Sequence, residues 1–181
     1  MTISKKIAVL VTDGFEQVEL TGPVEALKKA GAQVTIVSPK DDKIQGMNHD
    51  EKGDTFTPDA KLSTTKPDGF DALLLPGGVA NPDYLRVNGE AVAFVRHFVT
   101  SKKPIAAICH GPWTLIEAGG VKGHTMTSWP SLRSDLTNAG ATWVDKPVVT
   151  DGTLVTSRKP DDIPDFSKAF IGLLEGAVQP A

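Results

Sequence analysis

The sequence predicts an α/β fold with a mainly parallel sheet, and three observations lead to this class. Strand-like and helix-like segments alternate along the 181 residues. Residues 7–11 (IAVLV) form a continuous apolar run, as expected for a strand buried on both faces of a parallel sheet. Residues 105–112 (IAAICHGP) predict a buried strand that stops at a turn, with a helix beginning at or just after Gly111. This strand–turn–helix order is typical of a nucleophile elbow, and we expect residues 1–181 to form a single domain.

The first third of the chain predicts two strands around one long helix. The strand at residues 7–11 is followed by a helix over about 18–30, in which Pro23 must lie near the first turn or kink the helix. Residues 34–37 are the second strand. Residues 41–66 are polar with only short apolar alternation, which favours hairpins or edge strands rather than a linker between domains.

The remainder continues the alternation. In chain order we expect a strand at 70–75, an amphipathic helix at 90–101, the strand that ends at Cys109, a helix ending near Gly119 and Gly120, a short helix at 131–138, strands at 143–144, 148–150 and 154–157, and a helix at 162–174. Ser131 has the residue type of an N-cap for the short helix. Asp151 and Gly152 predict a hairpin between the last two strands.

Composition excludes several classes of protein. The net charge of −3 leaves no basic surface of the kind that binds nucleic acid. A single cysteine excludes an internal disulfide, and no apolar run has the length of a membrane span. Because no segment like a signal peptide precedes the first strand, we expect a cytoplasmic location. The histidines lack the spacing of metal ligands, so we predict neither a metal nor a cofactor.

Cys109 is the first candidate for catalysis. A thiol at the start of a helix faces free backbone N–H groups and the positive end of the helix dipole, which lower its pKa and favour the thiolate. The alternative is ordinary core packing, since free cysteine is among the most buried residue types. His110 follows directly and could act on a substrate atom as general acid or base without bonding to the thiol. Asp83 could orient that imidazole or could simply cap a helix.

A carboxyl group and a glycine pair complete the candidate site. Glu16 lies just past the first strand, where a protonated carboxyl could donate to the sulfur, although Asp13 or Glu19 could serve instead and Glu16 could merely favour the helix dipole. Gly77 and Gly78 follow the strand at 70–75, and their N–H groups could face an oxyanion, or they could form an ordinary turn. Parallel strands present their carboxyl ends on one edge, so we expect these strand ends to converge.

In combination these segments resemble the PfpI intracellular protease family of the ThiJ/PfpI, class I glutamine amidotransferase-like superfamily. The resemblance covers nearly the whole chain and rests on the order and spacing of these segments: KIAVL (6–10), DGFEQVEL (13–20), FDALLLPGG (70–78), AICHGP (107–112), NAGA (138–141), VTSR (155–158) and PDD (160–162).

The resemblance implies a flavodoxin-like three-layer sandwich in which Cys109 is the reactive residue. Glu16 would be the protonated glutamate against the sulfur, His110 the catalytic histidine, and Gly77 and Gly78 the oxyanion-binding loop. In protease-like members a glutamate from a neighbouring subunit completes a triad. Asp83 appears at the matching position, one methylene shorter, so the triad would be longer, rearranged or formed within one subunit. The resemblance also implies a homo-oligomer, a dimer or a hexamer.

Two classes of function follow. The first is a stress-response cysteine hydrolase in which Cys109 attacks carbonyl carbons of small carbonyl compounds or damaged proteins, as in deglycases, glyoxalases and peptidases. The second is a non-enzymatic oxidative-stress sensor or chaperone that acts through oxidation of Cys109. A glutaminase of the amidotransferase type shares the elbow, but the chain has neither a partner domain nor a distant Cys–His–Glu pattern.

Overall fold

A computed structural model describes residues 2–176 and confirms the predicted α/β class. The strands within these residues are β1 (Lys6–Leu10), β2 (Phe15–Glu16), β3 (Gln33–Ser38), β4 (Ile44–Asn48), β5 (Glu51–Phe56), β6 (Ala60–Lys61), β7 (Ala72–Leu75), β8 (Ile105–Ile108), β9 (Thr125–Met126), β10 (Thr142–Trp143), β11 (Val148–Asp151) and β12 (Leu154–Ser157). The α-helices of the same part of the chain are α1 (Gln17–Lys29), α2 (Ala80–Arg86), α3 (Gly89–Thr100), α4 (Pro112–Glu117), α5 (Arg133–Asn138) and α6 (Ile163–Leu174).

The central sheet has seven strands in the order β11-β12-β8-β7-β1-β3-β6. Every neighbouring pair is parallel except β11 and β12, which form the predicted hairpin. The order places β1, β7 and β8 side by side, so the chain segments that follow these strands emerge next to one another on one edge. This adjacency positions the candidate site.

Helices cover both faces of the sheet, which gives the predicted three-layer sandwich. One face packs against α3, α4 and α5 through a cluster that includes Phe94, Phe98 and Leu115. The other packs against α1 and α6 through a cluster that includes Leu20, Phe166 and Phe170. Strands β1, β7 and β8 are buried on both faces, apart from the exposed Lys6 at the start of β1, which is why their sequences are almost continuously apolar.

Smaller elements depart from the sequence-based expectation in detail. The segment predicted as hairpins or edge strands supplies β4 and β5, which form a separate sheet with β2, and also β6 at the edge of the main sheet. Strand β10 pairs with β9 outside the main sheet. Helix α1 continues through Pro23, well past its first turn. Ser131 does not cap α5, because a 3-10 turn over Pro130–Leu132 precedes that helix and Leu132 occupies the cap position.

Within residues 2–176, no helix combines the length and the apolar character needed to span a membrane. The same residues contain no group of three or more His, Cys, Asp or Glu side chains placed to hold a metal ion.

Candidate active site

Cys109 occupies the turn between β8 and α4 in a left-handed backbone conformation, with φ of 63°. This conformation is unfavourable for a residue with a Cβ, so surrounding contacts must hold it. Its N–H donates to the Ser157 carbonyl at 3.0 Å, and its own carbonyl accepts from the Trp129 N–H at 2.9 Å. Gly111 lets the chain turn tightly, because a Cβ there would lie 2.6 Å from the Leu75 carbonyl oxygen. The predicted elbow is therefore present.

Glu19 is the carboxyl group that lies against the sulfur. It is fully buried on α1, and its Oε1 accepts the Gly77 N–H at 3.0 Å. Its Oε2 is buried without a hydrogen-bond partner among residues 2–176, and the carboxyl group interacts with the Cys109 thiol. Burial, followed by the nearby charge of Glu16, raises the pKa of Glu19 to about 8. Glu19 is therefore protonated at neutral pH and can donate a hydrogen bond.

The expectation that Glu16 lies against the sulfur is wrong. Glu16 is the cap residue of α1 with an extended backbone, and its carboxylate turns toward the β4–β5 hairpin. Both of its oxygens accept the His49 N–H at 3.2 Å. Glu19, one helical turn later, points inward instead. It lies on the apolar stripe of α1 with Leu20 and Val24, and an acid within such a stripe was the sequence signal for this residue.

The loop formed by Gly77 and Gly78 places two backbone N–H groups beside Glu19 and Cys109. The Gly77 N–H is occupied by Glu19, whereas the Gly78 N–H lies at the Cys109 sulfur and also near the Glu19 carboxyl. Gly78 has φ of +78°, and a Cβ there would lie 2.6 Å from the Glu16 backbone nitrogen. Both glycines therefore lie beside Glu19 and Cys109, and of their two N–H groups only that of Gly78 acts on the thiol; their binding of an oxyanion stays a prediction.

The thiol is more buried than the sequence suggested. Cys109 is 7% exposed, and burial, together with the charge that Glu19 carries when ionised, raises the pKa of the Cys109 thiol above its ordinary value. The N–H groups of Gly78 and His110 act in the opposite direction but do not outweigh burial. The expected lowering of the thiol pKa is therefore wrong, and the free protein holds a protonated thiol at neutral pH.

His110 does contact the sulfur, although the sequence did not require it. Its Nδ1 lies 3.2 Å from the Cys109 Sγ, and its Nε2 lies 3.4 Å from the Ser131 Oγ. The ring is stacked on Trp129 with a centroid distance of 6.0 Å. Burial lowers the pKa of His110 to about 4, so the imidazole is neutral at neutral pH. A proton on Nε2 would face Ser131 and leave the Nδ1 lone pair for the thiol.

Asp83 is not brought to the imidazole within one chain. It lies exposed on α2, and among residues 2–176 no hydrogen bond or ion pair joins its carboxylate to His110. Ser131, interpreted from sequence as a helix cap, occupies the side of the ring where an orienting group is needed. No local sequence signal identifies Ser131, because the contact depends on how the loop after Trp129 folds back.

The thiol lies in a cavity of about 580 Å³. The cavity is lined by Gly14, Glu16, Glu19, Met47, His49, Asp50, Gly78, Val79, Ala80, Cys109, His110, Trp129 and Pro160. The β4–β5 hairpin contributes Met47, His49 and Asp50, so this small separate sheet forms one wall. The volume is sufficient for a small carbonyl compound or a modified side chain.

Comparison with known proteins gives a consistent result. The model of the DJ-1/PfpI family matches residues 5–173. The chain is 45% identical over 175 residues to protein/nucleic acid deglycase 2 of Escherichia coli, covering 95% of this chain and 99% of that protein. It is 44% identical over 175 residues to general stress protein 18 of Bacillus subtilis, covering 96% and 99%.

A solved structure agrees with the sequence relatives. Drosophila melanogaster DJ-1beta superimposes with a TM-score of 0.87 at 30% identity, covering 96% of this chain and 91% of that chain. The chain therefore belongs to the DJ-1/PfpI family.

Proposed function

We propose that this protein is a cysteine-dependent hydrolase that removes carbonyl adducts from amines, a deglycase, with Cys109 as nucleophile. The observation that carries the proposal is the 3.2 Å contact between the Cys109 Sγ and the His110 Nδ1 at a strained elbow open to a cavity. The deglycase named among the relatives supports the substrate class. The peptidase reaction implied by the family resemblance would use the same nucleophile and the same base.

The first step does not require a thiolate in the resting protein. In an adduct of methylglyoxal with an amine, the nitrogen is bonded to a carbinol carbon next to a ketone carbonyl. As Sγ forms a bond to the carbinol carbon, the carbon–nitrogen bond breaks, and the neutral His110 Nδ1 takes the thiol proton and passes it to the leaving nitrogen, so that the amine is released. The Gly78 and His110 backbone N–H groups lie at the sulfur, and protonated Glu19 adds no negative charge beside it.

The second step converts the resulting hemithioacetal on Cys109 into a thioester. The neutral His110 Nδ1 takes the proton of the carbinol carbon, the electron pair moves to the ketone oxygen to form an enediolate near the Gly78 and His110 N–H groups, and the hydroxyl proton moves to that oxygen while the proton on His110 returns to the former ketone carbon. Water then cleaves the sulfur–carbon bond of the thioester, which releases a 2-hydroxy acid and regenerates the thiol. Ser131 holds the ring through Nε2 in this scheme, a role for which the sequence offered Asp83.

Other predictions remain part of the proposal. A homo-oligomer, dimer or hexamer, is supported by exposed apolar side chains: Val79 and Trp129, which line the cavity, and Tyr84 on α2. Because Asp83 lies on the exposed face of α2, without a contact to His110 in residues 2–176, we propose that it would pair with a histidine in another copy of the chain. We also propose that the substrates are damaged proteins or small carbonyl compounds and that the protein is located in the cytoplasm.

The test compares wild type with Cys109→Ser on N-acetylarginine pretreated with methylglyoxal. We expect Cys109→Ser to lose at least about 100-fold in the rate of amine release, because a serine hydroxyl is a far weaker nucleophile beside a neutral imidazole. A parallel assay on free methylglyoxal separates repair of the adduct from simple depletion of the aldehyde. Full activity of Cys109→Ser would reject the proposal.

The sensor is the second candidate, because protonated Glu19 and the Gly78 N–H would hydrogen-bond the oxygens of an oxidised Cys109. Peroxide titration followed by intact mass distinguishes it from the hydrolase. Rapid gain of two oxygens with no turnover of any carbonyl adduct would favour the sensor.

A further inference from the structure

Asn81 is a fully buried amide whose hydrogen bonds all go to backbone atoms beside the site. Its Oδ1 accepts the Thr12 N–H at 2.8 Å, just past the end of β1. Its Nδ2 donates to the Pro76 carbonyl and to the Gly77 carbonyl, each at 3.0 Å. Asn81 is not among the cavity-lining residues, so it can act on the site only through these contacts.

The two carbonyls belong to the peptide units that serve the site. The Pro76 C=O shares a planar unit with the Gly77 N–H, and the Gly77 C=O shares the next unit with the Gly78 N–H. The first N–H donates to Glu19 at 3.0 Å, and the second lies at the Cys109 sulfur. Because a peptide unit is rigid, holding its oxygen also fixes the direction of its N–H.

The loop needs such an anchor. Two consecutive glycines have wide backbone freedom, and Gly78 adopts a left-handed conformation with φ of +78°. The side chain of Asn81 holds both carbonyls with one amide group and fixes that group to β1 through Thr12. A misdirection of the Gly78 N–H by a few tenths of an ångström would weaken its contact with the anion.

We propose that Asn81 is a positioning residue that aims the Gly77 and Gly78 N–H groups at Glu19 and at Cys109. Its effect on turnover rests on the proposed reaction at Cys109. Its effect on the thiol does not, because alkylation of Cys109 can be measured without a substrate. The chain has one cysteine, so alkylation reports this site alone.

The experiment uses two variants of Asn81. Asn81→Asp keeps the shape and the acceptor for Thr12 but loses both amide donors. Asn81→Ser is uncharged and keeps at most one donor. A change shared by both variants is therefore not an effect of added charge. Asn88, which caps α3 by accepting the Ala91 N–H at 3.1 Å, supplies the controls Asn88→Asp and Asn88→Ser, since both residues are good caps.

We expect iodoacetamide to alkylate Cys109 about tenfold more slowly in both Asn81 variants at each pH from 6 to 9, because the thiolate loses a directed N–H donor. In the adduct assay kcat should fall about tenfold or more with KM within about twofold, since the donor acts mainly in the transition state. The Asn88 controls should match wild type in both assays.

The outcomes separate the two claims. Slower alkylation without turnover in any variant, wild type included, would retain the role of Asn81 and reject the proposed function. Alkylation at or above the wild-type rate in a folded Asn81 variant would overturn the inference, and a lowered unfolding temperature alone would mark Asn81 as purely structural. If Asn81→Ser fails to fold, Asn81→Asp decides the question with its charge-matched control, Asn88→Asp.

Discussion

The parallel strands of the central sheet begin at one edge, the amino edge, and end at the opposite one, the carboxyl edge. Both edges carry titratable side chains, but in different environments. At the amino edge, a groove of about 330 Å³ includes Lys102, Lys103 and His124. His124 is 36% exposed and pairs with the half-exposed Asp151 at 3.3 Å. At the carboxyl edge, His110 is 7% exposed and Glu19 is fully buried, and both contact the Cys109 thiol.

Burial, rather than the presence of titratable residues, distinguishes the edge that carries the candidate site. At the amino edge Lys102 is exposed and His124 is partly exposed, so water solvates these side chains. At the carboxyl edge burial keeps an acid protonated and a histidine neutral at the same pH. A buried acid and base whose protonation states are displaced in opposite senses are typical of catalytic sites.

The largest expected difference between the edges is in their glycines. Gly78→Ala should lower the free energy of unfolding by about 3 kcal/mol or more, because its Cβ would meet the Gly14 and Glu16 backbone in addition to the positive φ. Gly152, in the β11–β12 hairpin at the amino edge, also has a left-handed backbone, with φ of +61°, but a Cβ there would meet no atom within 4 Å. Gly152→Ala should therefore lower the free energy of unfolding by only about 1 kcal/mol. Urea unfolding measures both, and equal costs would contradict the comparison.

A smaller effect is expected from removal of the buried acid. Glu19 has a pKa raised to about 8 in the folded protein against 4.5 for the ordinary group, so the unfolded state loses its proton first. Wild-type stability therefore falls as pH rises from about 4.5 to about 8. Glu19→Gln removes this loss. The free energy of unfolding of Glu19→Gln relative to wild type should therefore increase by roughly 2–4 kcal/mol as the pH rises from about 5 to about 8.

The matched control is Glu25→Gln on the same helix. Glu25 forms an exposed pair with Lys29, so its replacement should leave the pH dependence of wild type unchanged. Urea unfolding at pH 5, 6.5 and 8 makes the comparison. If the stability difference between Glu19→Gln and wild type were constant across these pH values, the carboxyl would be ionised throughout and the buried-acid interpretation would be wrong.

The sequence was sufficient for the main sheet because its central strands are continuous apolar runs bounded by turns. It was insufficient for α2 and β2, which are short and depend on tertiary contacts rather than on a periodic pattern. The separate β2-β4-β5 sheet, which walls the cavity, could be anticipated only as hairpins or edge strands.

The residues of the candidate site also fall into those that the sequence predicts and those that depend on tertiary structure. Cys109, His110 and Gly78 follow strand ends, so topology alone predicts that they meet. The choice between Glu16 and Glu19 needed the helical phase of α1, because only one of them faces the core. The direction of the thiol pKa needed the burial of Cys109, which no residue pattern reveals.

The central claim is that a neutral His110 and a protonated Glu19 make the buried thiol reactive, and the pH dependence of kcat/KM on the arginine adduct tests it most directly. We predict a plateau with an acid limb at about pH 4, where His110 gains a proton, and an alkaline limb at about pH 8, where Glu19 ionises beside the sulfur. Glu19→Gln should lose the alkaline limb. A wild-type profile that rises through pH 6.5, or continues to rise above pH 8, would contradict the account.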